Sequence, residues 1–184
     1  NTYARDLNQY GFSSMLLRWW QAMHLPEQEL KKLEPPVYPA PTRYKSELKR
    51  CNSVEHILLT EGFRALWMPI ITWLENQPEH QQYNWPNIEA WAVVAGALAE
   101  IKSHSDNLFA RDLGLIDKET DKPAVSELRF QQLQASKNSG ELLSRVRRLV
   151  KQLGGKANPI SVADDILCWH QEQQGKRAKE ASKR

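Results

Sequence analysis

Arg145, Arg147, Arg148 and Lys151 place four cations within seven positions of the segment GELLSRVRRLVKQLGG, whose other positions carry apolar residues at helical spacing. At about 100° per residue, Leu142, Leu143, Val146, Leu149, Val150 and Leu153 share an arc of roughly 120°, and the cations take the other side. Arginine suits phosphate chemistry because its planar fork offers paired donors to phosphate oxygens and stays charged. Glu141 is the only acid on this helix, so three of the four cations lack the i,i+4 acidic partner that would neutralise them. The plainer reading is a solvated face, since an amphipathic helix needs polar residues opposite its stripe and arginine is a good helix former.

Nothing comparable points to catalysis. His24, His56, His80, His104 and His170 stand at no metal-ligand spacing with a second His or Cys, so no metal or other cofactor is expected. Glu55 with His56, and Asp164 with Asp165, are adjacent on helices and point in different directions; the aspartates, early in the last helix, favour its dipole. There is no Gly-rich phosphate loop, nucleophile elbow or dinucleotide fingerprint. An enzyme is left only a site assembled from distant residues, and no catalytic residue is assigned.

The elements that must position these side chains read as helices almost throughout, and the fold class is all-α. Ser13 or Ser14 caps a helix to about His24, and Pro26 opens a short second one. The stretch EPPVYPAP, Glu34 to Pro41, holds four prolines and is a linker or draped loop. Helices follow over Tyr44 to Arg50 and from Ser53 through Leu59, with Gly62 a break before Phe63 to Trp73. Asn84 to Pro86 starts the next, and NIEAWAVVAGALAEI is apolar nearly all round, which predicts a central buried helix. Loops are expected at Ser103 to Asn107 and Asp117 to Pro123, and three helices close the chain, with Gly154, Gly155 and Pro159 as punctuation. A boundary near Ser103 divides the chain into helical bundles over 1–102 and 103–174, followed by a disordered basic tail, 175–184. Trp19, Trp67, Trp73, Trp91 and Trp169 lie on apolar stripes and belong to the core. Trp85 is the best candidate for an exposed aromatic, read equally as a helix-start staple or as a base-stacking contact.

At 184 residues and 41% hydrophobic content the chain is long enough for a packed core, and its formal charge of +3 does not by itself imply nucleic acid. Distribution matters more. Lys45, Lys49 and Arg50 form one cationic cluster, the closing helix face a second, and Lys176, Arg177, Lys179, Lys183 and Arg184 a third. The longest apolar run, Ala90 to Ala99, is too short for a membrane span and no signal pattern opens the sequence, so a soluble cytoplasmic protein is expected. Cys51 and Cys168 are too few for a disulfide framework.

In order, FARDLG (Phe109 to Gly114), SELRFQQLQASKNSGELLSRVRRLVKQLGG and PISVADDILCWH resemble the CasB small subunit of type I-E CRISPR surveillance complexes (Cascade). The matching residues are Arg111, Arg129, Phe130, Leu133, Leu142, Leu143, Arg147, Arg148, Leu149, Val150 and Trp169, with Trp19, Trp20 and Leu48, Lys49, Arg50 in the first half. Asp112 and the long Pro-rich insert depart from the family pattern. The resemblance implies a non-catalytic subunit that contacts the backbone of crRNA and target DNA and steadies the heteroduplex and displaced strand. It also implies partners: the backbone and large subunits of Cascade and a second copy of the chain. The nucleic-acid-binding residues it suggests, together with the helix face, are Lys49, Arg50, Arg111, Arg129, Arg145, Arg147, Arg148 and Lys151. The rival reading is a helical scaffold whose basic face is solvated or meets an acidic protein.

Overall fold

The computed structural model describes Leu7, residues 11–78, 85–117 and 119–182. Among these residues the chain order is α1 (Phe12–His24), α2 (Glu27–Leu30), α3 (Thr42–Arg50), α4 (Val54–Leu58), α5 (Glu61–Glu75), α6 (Ile88–Leu98), β1 (Ser103–His104), α7 (Phe109–Gly114), β2 (Ile116–Asp117), β3 (Lys122–Pro123), α8 (Glu127–Gln134), α9 (Ser139–Gln152), β4 (Lys156–Ala157) and α10 (Pro159–Ala181). The all-α expectation holds.

At the centre lies α6, buried from Ala90 to Leu98. A helix that is apolar on every side has no face to offer water, so its neighbours must cover it all round. They do: α4, α9 and α10 pack on it most closely, with α5 beside them. Its start is fixed by Asn87, whose Oδ1 accepts from the Ala90 N–H at 3.0 Å. Gly96 lets two of these neighbours approach. A Cβ there would fall 2.5 Å from Ile57 Cδ1 on α4 and 2.9 Å from Leu143 Cδ1 on α9.

Several boundaries differ from expectation. Helix α1 begins at Phe12, after Gly11 in the left-handed region (φ 69°), rather than at a serine cap. The buried Phe12 ring holds that start by meeting Trp73 and Trp91 edge-on, with centroids at 5.7 and 6.2 Å. Gly62 is no break. It sits in the first turn of α5, which Thr60 caps through the Phe63 N–H at 3.1 Å. The expected helix start at Asn84 lies outside the described residues, as do Tyr83, His80, Lys183 and Arg184. The expected loop at Asp117 to Pro123 overlaps the antiparallel pair β2–β3, which begins one residue earlier at Ile116. The tail is helical where it is described, because α10 continues through Gly175 to Ala181 on strong helix formers.

The Pro-rich insert drapes over α1. The Ala40 N–H donates to Ala22 O at 2.8 Å, and Arg18 donates to the carbonyls of Pro35 and Pro36. One continuous apolar cluster runs from Leu7 to Leu167 and crosses the boundary drawn at 102/103. Trp19, Trp20 and Trp91 lie inside it, Trp67, Trp73 and Trp169 pack partly buried against it, and Trp85 is exposed. No helix among the described residues is long and apolar enough to cross a membrane.

Candidate nucleic-acid interface

The site is built on α9. Asn138 opens this helix by accepting from the Glu141 N–H at 2.9 Å, and Leu142, Leu143, Val146, Leu149 and Val150 anchor it in the core. Arg148 and Lys151 stand at the middle of the opposite face and are exposed. Arg145 and Arg147 sit only about 40° from the edges of the apolar stripe, and both turn back onto the protein.

Arg147 corrects the reading of a uniform cationic face. It is 8% exposed. Its Nε donates to Gly96 O at 2.9 Å, Nη2 to Leu48 O at 2.6 Å, and Nη1 to Cys51 O. The Leu48 and Cys51 carbonyls belong to the C-terminal end of α3, where acceptors lack intrahelical donors and the dipole favours a cation. Arg147 therefore caps α3 from outside and fastens it to α6 and α9. Burial lowers its pKa, and the nearby Glu100 carboxylate opposes that shift. Arg145 ties α9 to the end of α8: its Nη1 donates to Ser136 Oγ at 3.2 Å and to Gln132 O, and its Nη2 pairs with Glu141 at 3.5 Å.

Capping α3 in this way sets Lys49 opposite Lys151. Between their ammonium groups lies Glu100, 5% exposed, with Oε2 3.8 Å from Lys49 Nζ and Oε1 3.7 Å from Lys151 Nζ. Two adjoining surface cavities share these three residues. One, about 460 Å³, adds Asn52, Ser144, Arg147 and Arg148. The other, about 480 Å³, adds Lys102, Gly154 and Gly155. The second is shaped by the turn after α9: Gly155, in the left-handed region at φ 81°, accepts the Lys102 N–H on its carbonyl at 2.7 Å. The parallel pair β1–β4 then holds the exit of α6 against that turn.

Of the eight suggested residues, Lys49, Arg148 and Lys151 share this concave surface, and Arg147 lies beneath it. Arg50, exposed at the end of α3, donates to Ser46 O at 3.2 Å. Arg111 on α7 and Arg129 on α8 are exposed as well. These three and Arg145 line neither cavity. Lys102, Asn52 and Glu100 were missed. Lys102 had a signal, since it is the first cation after the buried helix and faces a Gly-Gly turn; Asn52 and Glu100 had none. Arg148 is exposed and has no hydrogen bond or ion pair to any described residue. Among the described residues, no group of three or more His, Cys, Asp or Glu side chains is placed to hold a metal ion. Among the described residues, this surface offers lysine point charges and the exposed Arg148 guanidinium, which suits diffuse contact with phosphate.

A family model, CRISPR-associated protein Cse2, matches residues 45–184. The chain belongs to the Cse2 family. It is therefore a small subunit of type I-E Cascade, as the order of its motifs had implied. The matched residues begin inside α3 and hold every lining residue of both cavities, whereas Trp19 and Trp20 lie before them. No curated protein and no solved structure matches the chain.

Proposed function

We propose that this Cse2 chain is a non-catalytic subunit that grips nucleic-acid backbone within Cascade, stabilising the heteroduplex of crRNA and target DNA and the displaced strand. The observation that supports this is the convergence of Lys49, Lys102, Arg148 and Lys151, from three segments distant in sequence, on one concave surface. Such a surface recognises phosphate and leaves sequence reading to base pairing with the guide. R-loop formation is a near-balanced exchange of duplexes, so a few backbone contacts are enough to tip it. Arg50, Arg111, Arg129 and Arg145 belong to the proposal as outlying contacts. Arg147 acts through the placement of Lys49. The partners are crRNA, target DNA, the backbone and large subunits and a second copy of the chain, and the compartment is the cytoplasm.

The test is the lifetime of the R-loop formed by Cascade assembled with Lys49→Ala, Arg148→Ala and Lys151→Ala combined in this subunit. The variant complex should assemble at normal stoichiometry and lose the R-loop faster. Parallel incubation with DNA and RNA, with and without magnesium or manganese, should yield no cleavage that a point mutation in this chain abolishes. An unchanged R-loop lifetime makes the basic face a solvated one and favours the scaffold reading.

A further inference from the structure

Glu100 has no place in a surface that only attracts phosphate. It is nearly sealed from water at the exit of α6, and its carboxylate meets the ammonium groups of Lys49 and Lys151 at 3.8 and 3.7 Å, beyond hydrogen-bonding distance. These contacts attract without locking geometry. The carboxylate is fixed by burial, whereas the Lys151 side chain is 66% exposed and the Lys49 side chain 35%. An unpaired buried carboxylate is costly, so its location demands cations around it. Arg147 beside it donates only to neutral carbonyls, which leaves its own charge to be balanced by Glu100.

Resting on the backbone-contact reading above, we infer that Glu100 is a built-in counter-ion: it shares one carboxylate between Lys49 and Lys151, and phosphate must outcompete it for both lysines. The surface is thereby held below its full cationic strength. DNA of arbitrary sequence, meeting the surface transiently, gains little from lysines already partnered. A heteroduplex fixed in register by the guide presents its phosphates persistently and draws the lysines outward. Glu100 is a positioning residue that touches no nucleic acid.

The experiment measures binding of non-target duplex DNA by assembled Cascade across a salt series, with the wild-type subunit, Glu100→Gln, the pair Lys49→Ala/Lys151→Ala, and all three changes together. Removing one negative charge should tighten non-target binding and steepen the slope of log affinity against log salt by about 0.9. That gain should vanish in the lysine-less background, an outcome a purely structural role does not produce. If Glu100→Gln does not fold, Glu100→Asp, whose shorter side chain loosens both ion pairs, should move affinity in the same direction by less. Unchanged or weaker binding by the Glu100 variant that folds, while the lysine pair still flattens the slope, overturns the counter-ion and leaves the backbone-contact reading standing. A lysine-pair complex that binds as wild type overturns both.

Discussion

Arg147 and Arg148 are neighbours of one type on one helix, and the structure gives them opposite work. Removing Arg147 strips donors from three carbonyls and leaves Glu100 without its buried counter-charge, so Arg147→Ala should lower stability by about 3–5 kcal/mol in chemical denaturation. Arg148→Ala, at an exposed site with no partner among the described residues, should stay within about 0.5 kcal/mol of wild type. Equal effects of the two would contradict the assignment. His170 supplies a pH-dependent case. It is 7% exposed, its Nε2 has no hydrogen-bond partner among the described residues, and burial, aided by Arg177, depresses its pKa to about 4 from an ordinary 6.5. The unfolded ring takes a proton below about 6.5 and the folded ring only below about 4, so this contribution is complete above pH 6.5 and is lost as pH falls toward 4. It reaches about 3 kcal/mol at 1.36 per pH unit. Asp165, an exposed residue whose carboxyl is raised to about 6 by partial desolvation among its neighbours and then by Asp164, contributes in the opposite sense, stabilising toward low pH and losing that effect as pH rises through 6. The comparison is therefore between wild type and His170→Gln: the variant should lose less stability between pH 6.5 and 4. Parallel profiles would refute the buried neutral ring.

Helix α6 determines whether the surrounding elements can meet. Gly96→Ala places a methyl against Ile57 and Leu143 and should cost about 1–3 kcal/mol by overpacking, with Arg147 displaced from its neighbouring carbonyl. Trp91→Ala should cost about 3–5 kcal/mol, since the ring is wholly buried and transfer and cavity terms add. A melting temperature unchanged by either would remove α6 from the centre of the fold. This helix was legible in the sequence because NIEAWAVVAGALAEI leaves no polar face, and α9 was legible from its stripe. Helix starts were less so. Phe12, Thr60 and Asn87 set three of them through ring contacts or side-chain caps that compete locally with equally plausible serines, prolines and glycines. The short pairs β1–β4 and β2–β3 carry no alternation to read at two residues per strand.

Across the whole molecule, the cationic surface exists only because α3, the exit of α6 and α9 are fastened together. The sequence named the helix face and the Lys49 segment separately, and four of the eight suggested residues, Lys49, Arg147, Arg148 and Lys151, line the cavities. What it did not disclose was depth. A wheel position about 40° from an apolar stripe is near enough for a long arginine to fold inward, where the Gly96, Leu48 and Cys51 carbonyls hold Arg147, whereas Arg148 stands too far round the helix to follow it. The apolar cluster that carries these elements is continuous across the boundary at 102/103, so changes on α6 should reach the surface on either side of it.

The central claim is that Lys49, Arg148 and Lys151 act together as a phosphate grip, and salt dependence tests it most directly. Target-DNA affinity of Cascade carrying the triple alanine variant, compared with wild type over a range of salt, should fall. The slope of log affinity against log salt should flatten by about 0.9 for each duplex phosphate no longer neutralised, or about 0.7 for each phosphate of a single strand. Preference among target sequences should not change. A variant complex of normal stoichiometry with wild-type affinity and wild-type slope would contradict the account.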